Sequence, residues 1–360
     1  MIYKVSSQNR LGEMAADLLK VNEFGLYCAA GDFYIDPWRS VPKALITHGH
    51  SDHARYGCSK YLSVNENKWI LKARLGNQID LTCLNYGESI LINGIKVTFH
   101  PSGHLLGGSQ IEVEQKGNIW VVSGDYKTQI DPTCRQFNPI KCHTFISECT
   151  FGLPIYRWQS SRQIIHEIQD WWKTNAALET CSILGAYSLG KAQRILASLG
   201  EFHGPIFVHG AVQKINQAYL ATGVSLPETN SPRISNDKKA FQRALVIAPP
   251  SALNSTWSRR FGKSSMAVAS GWCAVRGNRR RRGLEKGFVL SDHADWEGLI
   301  DSIKSTNAER VLLTHGFTSV FSRYLLQHSV NAEVLSTHYE GETDLGDSNE
   351  MTESSEVVSQ

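Results

Sequence analysis

The sequence predicts an α/β protein of two domains. Three observations carry this: a first third built of short strands, a strand–helix alternation after about residue 152, and a length of 360 residues. At about 150 residues per domain, that length suggests two units, each able to bury its own core. KALIT (43–47) is a short apolar run ending at a histidine cluster, as expected of a buried strand that delivers residues to a loop. SILI (89–92), KVTFH (96–100), QIEVEQ (110–115) and IWVVSG (119–124) read as further strands, divided by Gly or Asn turn signals.

Beyond residue 152 the texture changes. SSRQIIHEIQDWWKT has helical spacing, CSILGAY reads as a strand, and SLGKAQRILASLG reads as a helix stopped by a glycine. GPIFVHG and AVQKINQAYLATG repeat the pair, so the middle of the chain is expected to form a parallel sheet. KGFVLS, ADWEGLIDSIKST and RVLLTHG continue the alternation. From about residue 339 the chain is polar, acidic and poor in aromatics, and is expected to be disordered. No solenoid period is present.

Composition narrows the class. Hydrophobic residues at 41% and charged residues at 20% fit a soluble globular protein. No apolar run reaches the roughly 18 to 20 residues of a spanning helix, so no membrane partner is expected. The segment MIYKVSSQNRLGEM has no apolar stretch after its charges and does not read as a secretory signal, which places the chain in the cytoplasm. Eight cysteines without a C-x-x-C pair read as reduced, buried small hydrophobes. The net charge of +3 conceals an uneven distribution. Arg276, Arg279, Arg280, Arg281 and Arg282 cluster, while Glu342, Asp344, Asp347, Glu350, Glu353 and Glu356 crowd a tail that has no Lys or Arg. Without that tail the body is basic, as a nucleic-acid binder would be, although unrelated surfaces share the property.

The strongest signal is Thr47-His48-Gly49-His50-Ser51-Asp52-His53. Three imidazoles and a carboxylate within six residues suit zinc, with iron or manganese as alternatives. In an extended segment His48 and His50 point to one side and can share a metal. Asp52 and His53, beyond them as the chain turns, can reach a neighbouring one.

This strand-end pattern, [ST]-H-x-H-x-D-H, resembles the first metal motif of the metallo-β-lactamase superfamily. Pro101-Ser102-Gly103-His104, Ser123-Gly124-Asp125 and Thr314-His315-Gly316 resemble its later ligand turns, in the family's order. The resemblance implies two divalent metal ions, zinc by default with manganese as the alternative. Metal one would take His48, His50 and His104; metal two would take Asp52, His53 and His315; Asp125 would bridge. The long stretch between Asp125 and His315 resembles the β-CASP branch, as do Ser147-Glu148-Cys149-Thr150-Phe151-Gly152 before it and Leu290-Ser291-Asp292-His293-Ala294-Asp295 after it. The implied fold is a metallo-β-lactamase αββα sandwich (1–151 and 286–338) with an inserted β-CASP α/β domain (152–285) and a tail (339–360).

Within the branch, AYSLGKAQRIL, GPIFVHGAV and ASGWCAVRGNRRRRGLEKGFVLSDHADW resemble the bacterial ligase-associated DNA exonucleases. That implies a DNA exonuclease of DNA repair, with a DNA ligase or helicase as partner. His315 stands where RNA-processing members carry histidine, which keeps a β-CASP ribonuclease open. A non-catalytic scaffold and a small-molecule hydrolase are the remaining readings. For a nuclease, Asp52 would orient the attacking water, His293 would be the general acid, and Glu148 would orient its ring. Ser188 and Lys191, at a predicted helix start, and Arg276, Arg279 and Arg280 are the candidate substrate grips, the alternatives being an N-cap, a solvated lysine and a solvated loop. His209 is expected to be a turn or core histidine, and Trp171, Trp172 and Trp272 packing residues.

Overall fold

The structure, a computed structural model, describes residues 17–200, 202–234, 237–275 and 286–335. The chain first lays down a six-stranded sheet in sequence order: β1 (Lys20–Asn22), β2 (Gly25–Cys28), β3 (Phe33–Ile35), β4 (Lys43–Leu45), β5 (Lys60–Val64) and β6 (Leu81–Leu84). Helix α1 (Lys68–Leu75) makes the crossover between the last two strands, which pair in parallel. A second sheet begins with β7 (Ser89–Ile92) and β8 (Ile95–Pro101). Asn93 and Gly94 join them at φ 50° and 82°, the left-handed pair that a two-residue hairpin needs. β9 (Ser109–Gln115), β10 (Asn118–Val122) and β11 (Thr144–Cys149) complete its first part.

The chain then leaves this sheet. α2 (Ser161–Ala177), β12 (Cys181–Gly185), α3 (Lys191–Ser198), β13 (Ile206–Val208), α4 (Gly210–Ala221), β14 (Leu245–Ala248), α5 (Pro250–Leu253), β15 (Ser264–Ala269) and β16 (Lys286–Phe288) follow. The strands form a separate sheet in the order β13-β14-β12-β15-β16, parallel throughout. Ile183 packs on one face of it and Leu184 on the other, each within its own apolar cluster. Burial on both faces explains the continuous apolar runs that a parallel sheet requires. Trp171 and Trp172 of α2 lie in the first of these clusters. The chain returns with α6 (Trp296–Thr306), β17 (Arg310–Gly316), α7 (Thr318–Gln327) and β18 (Ala332–Val334), and β17 pairs in parallel with β11.

Alternation along the strands builds four layers, helix–sheet–sheet–helix. Phe33, Ile35, Leu45 and Leu62 of the first sheet meet Val97, Phe99, Ile111 and Val113 of the second between the sheets. Leu71 and Leu75 of α1 cover the outer face of the first sheet. Leu299 and Ile303 of α6, with Phe321 and Leu325 of α7, cover that of the second. The third sheet's unit seats on this body where Ile70, Leu105 and Leu106 pack against Leu189, Ile215 and Tyr219. Among the described residues no helix is long and apolar enough to cross a membrane, and all eight cysteines are free.

Candidate metal centre

Strand direction gathers the site. β8, β10, β11 and β17 run the same way, so the turns at their C-terminal ends open on one edge, and the segment after β4 faces them. His48 follows β4, His104 follows β8, Asp125 follows β10, and His315 lies near the end of β17. His315 sits at φ 56°, a left-handed conformation that turns its ring off the strand. Gly316 follows at φ 82°, where a Cβ would fall 2.4 Å from the Cys149 carbonyl oxygen.

Donor atoms converge on Asp125. His48 Nε2 and His53 Nε2 lie 3.5 Å from Asp125 Oδ2, His104 Nε2 lies 3.8 Å from it, and His315 Nδ1 lies 3.8 Å from Oδ1. His48, His50, His104 and Asp125 offer ligand atoms within 4.8 Å of one another; His53, Asp125 and His315 form a second such group. Asp52 stands at the open side, its side chain 31% exposed and Oδ2 3.6 Å from His53 Nε2.

The far nitrogens of these rings decide what the near ones carry. His104 Nδ1 lies 2.6 Å from the Asp292 carbonyl oxygen and His50 Nε2 lies 3.2 Å from that of Leu189, so both must be N–H donors. Thr47 Oγ1 gives its proton to Asp36 and can only accept from His48 Nδ1, 3.1 Å away. Burial lowers the pKa of His48, His50 and His104, and neighbouring histidines lower the first and third further, so all three rings are neutral. Three lone pairs therefore face inward, with His50 Nδ1 only 3.1 Å from His48 Nε2 and 3.2 Å from His104 Nε2. Such an arrangement is repulsive unless a cation lies among them, and neutral imidazoles with their second nitrogens hydrogen-bonded are what a metal takes.

The second group fits a cation as well. His53 Nδ1 is anchored on Asp36 Oδ2 at 2.7 Å, while its buried Nε2 has no hydrogen-bond partner. Burial opposes charge on this ring, but Asp125, Asp52 and Asp36 hold its pKa well above the usual value. Burial likewise opposes ionisation of Asp125, and the histidines around it prevail and keep its pKa well below the carboxylate range. A cluster so rich in negative charge and lone pairs suits divalent ions.

Beside it, His293 Nδ1 lies 2.8 Å from Glu148 Oε1. Glu148 is itself fixed, accepting from the backbone N–H groups of Tyr126 and Thr150. The His293 ring centroid is 4.8 Å from that of His104, which brings the Glu148–His293 pair to the wall of the cation cluster. Phe151 packs edge-on against the His293 ring and is itself flanked by Trp158 and Trp272, and Trp158 Nε1 donates to the His293 carbonyl.

Two sets of supporting residues escaped the sequence. Asp36, at φ 45° after β3, accepts from Thr47 N, Thr47 Oγ1 and His53 Nδ1, and so aims His53 directly and His48 through the Thr47 hydroxyl. A buried cluster of Lys127, Lys191, Arg194, Asp131 and Asp292 lies under His104. It bears on the expectation for Ser188 and Lys191. Both are buried, and Lys191 Nζ is 3.3 Å from Asp292 Oδ2, so its charge is spent inside the protein instead of being offered to a phosphate or to solvent. The N–H of Gly190 donates to Gln193 Oε1, so the helix start is also engaged internally. His209 accepts from Ala211 N as an N-cap and belongs to none of the metal-capable groups among the described residues. Arg276, Arg279, Arg280, the rest of that run and the acidic tail lie outside the described residues.

No family model matches the chain. A probable DNA ligase of Opitutus terrae is 28% identical over 311 residues, covering 86% of this chain and 30% of that protein. Cleavage and polyadenylation specificity factor subunit 3 of Dictyostelium discoideum is 25% identical, covering 55% of this chain and 28% of its own length. Endoribonuclease YSH1 of Yarrowia lipolytica is 26% identical, covering 62% and 29%. The chain thus spans under a third of the length of these relatives. Relatives of these kinds are consistent with the β-CASP branch that the motifs resemble. A crystal structure of a protein of unknown function from Enterococcus faecalis V583 superposes with a TM-score of 0.57 at 12% identity, covering 83% of this chain and 80% of that one, which is a likeness of fold alone.

Proposed function

We propose that this chain is a metal-dependent β-CASP nuclease that hydrolyses DNA phosphodiester bonds, an exonuclease of DNA repair. Its fold would be the metallo-β-lactamase sandwich (1–151 and 286–338) carrying the β-CASP insert (152–285), a reading supported by the position of the third sheet between β11 and β17. The observation that carries the function is the cation-demanding ring cluster at Asp125 with the Glu148–His293 pair beside it. In this reading His48, His50 and His104 would hold one divalent ion and Asp52, His53 and His315 the other, with Asp125 available to each; zinc is the default and manganese the alternative.

When bound, two such ions would lower the pKa of water and neutralise phosphodiester charge. The chain's own residues supply the rest. Asp52, at the open side, orients the attacking water towards phosphorus, and the proton that this water loses passes to solvent there. As the new P–O bond forms and the old one breaks, the departing alkoxide needs a proton; His293, protonated on both ring nitrogens, gives the one on Nε2 and is left neutral with Nδ1–H on Glu148. No covalent enzyme intermediate is required.

Support for DNA comes from the relative named as a DNA ligase, which aligns with most of this chain and suggests a ligase as partner. A second reading, an RNA-processing nuclease, is favoured by the relative named as an endoribonuclease, by the one named as a cleavage and polyadenylation factor subunit, and by His315. End-labelled DNA and RNA strands of matched sequence separate the two: cleavage of DNA is expected, and cleavage of RNA alone transfers the proposal to the second reading.

A further inference from the structure

The imidazoles around the two candidate ions do not share one scaffold. His53 Nδ1 rests on Asp36, within the two-sheet body. His50 and His104 instead rest on carbonyls at the junction with the third sheet's unit. Leu189, which accepts from His50 Nε2, lies in the loop between β12 and α3. Asp292, whose carbonyl accepts from His104 Nδ1, is gripped by α3: Arg194 Nη1 donates to the Ser291 carbonyl at 2.6 Å and to Asp292 Oδ1 at 2.9 Å, and Lys191 holds Oδ2. Arg194 Nη2 also reaches Gln129, in the turn after Asp125, and Ser161 at the start of α2. The guanidinium, 1% exposed, therefore ties three segments together beneath the ligands.

We infer that the third sheet's unit is part of the first ion's site, and that its seating sets the affinity for that ion, with Arg194 as the positioning residue. The inference rests on the two-ion reading above. Its physical basis is that carbonyls accepting from ligand imidazoles fix the tautomer and ring direction, and losing such partners typically costs about 10–100-fold in metal affinity. The seat itself is an apolar contact of Ile70, Leu105 and Leu106 with Leu189, Ile215 and Tyr219. A shift of the unit large enough to admit a polynucleotide would carry Leu189 and α3 with it. It would loosen the first ion while leaving the second, and by reciprocity the bound ion favours the seated form.

The test is Zn²⁺ titration of the full chain against a competing chelator in two backgrounds. His315→Ala leaves the first site to be read, and His48→Ala leaves the second. Arg194→Met is expected to weaken Zn²⁺ about 10–100-fold in the first background and to leave it unchanged in the second. Arg194→Lys, which keeps the charge and a donor, recovers part of the loss. Removing Arg194 takes the cluster from three cations and two carboxylates to two of each, so no carboxylate is left without a cation; if Arg194→Met nevertheless lacks a cooperative melt, Lys191→Met, which leaves the same balance, carries the same comparison. Equal losses in both backgrounds, or none in the first, overturn the inference. Failure of the unsubstituted chain to take up Zn²⁺ overturns instead the two-ion reading, and is seen before any variant is made.

Discussion

Glu148 and His293, 145 residues apart, meet at 2.8 Å across the junction where the third sheet's unit leaves and rejoins the body. The carboxylate receives the His293 Nδ1 proton and two backbone N–H groups, so the ring is held in one orientation with Nε2 directed away from Glu148. A ring so fixed, when protonated on Nε2 as well, is placed as a general acid. His293→Ala is therefore expected to lower turnover of a nucleic-acid strand by about 10²–10⁴-fold while metal content stays at the unsubstituted level. Single-turnover kinetics beside metal analysis checks this, and unchanged turnover with normal metal removes the assignment.

Asp292 answers three buried cations. Burial opposes its ionisation, but Lys191, Lys127 and Arg194 prevail and hold its pKa well below 3.8. Its contribution is thus present above that value and lost as pH falls through the folded-state pKa. Asp292→Ala leaves Lys127, Lys191 and Arg194 with Asp131 alone, and is expected to cost about 3–5 kcal/mol, read by chemical denaturation at neutral pH.

The metal-stripped protein should lose stability on acidification. His48, His50 and His104 have pKa values below 6.5 when folded, so the unfolded chain binds more protons there, and their contribution fades as pH drops below about 6.5. His53 runs the other way, its raised pKa adding stability below 6.5 that is lost as pH rises through the folded value. With three rings against one, the melting temperature of chelated protein is expected to fall between pH 7 and pH 5; an unchanged or rising value contradicts neutral rings.

Replacing Arg276, Arg279 and Arg280 by alanine tests the basic run as a groove for a polynucleotide backbone. Every arginine that neutralises a phosphate should, on its removal, reduce the slope of log affinity against log salt by about 0.7 for a single strand and 0.9 for a duplex. An identical slope removes these arginines from the interface.

Much of the candidate site's clustering was legible because it is written locally. His48, His50 and His53 sit in one turn after a strand whose apolar run marks it, His104 and Asp125 each follow a strand in short Gly-containing turns, and His315 closes a strand just before Gly316. The parallel sheet was legible from doubly buried runs such as CSILG. What supports the ligands was not. Asp36 is one acid before a proline, and only its left-handed backbone and the pairing of β3 with β4 bring it to Thr47 and His53. Arg194 and Asp292 are 98 residues apart, and a lysine at a helix start reads as solvated until packing encloses it, as happens to Lys191.

The central claim is that the Asp125 cluster cleaves phosphodiesters through bound cations. It is tested most directly by turnover of an end-labelled DNA strand as chelator-stripped protein is titrated with Zn²⁺ or Mn²⁺. The account predicts no cleavage in the stripped protein and activity that rises as two equivalents are taken up, with none recovered by Asp125→Ala. Cleavage undiminished by stripping, or none at any metal loading on DNA or RNA, would contradict it.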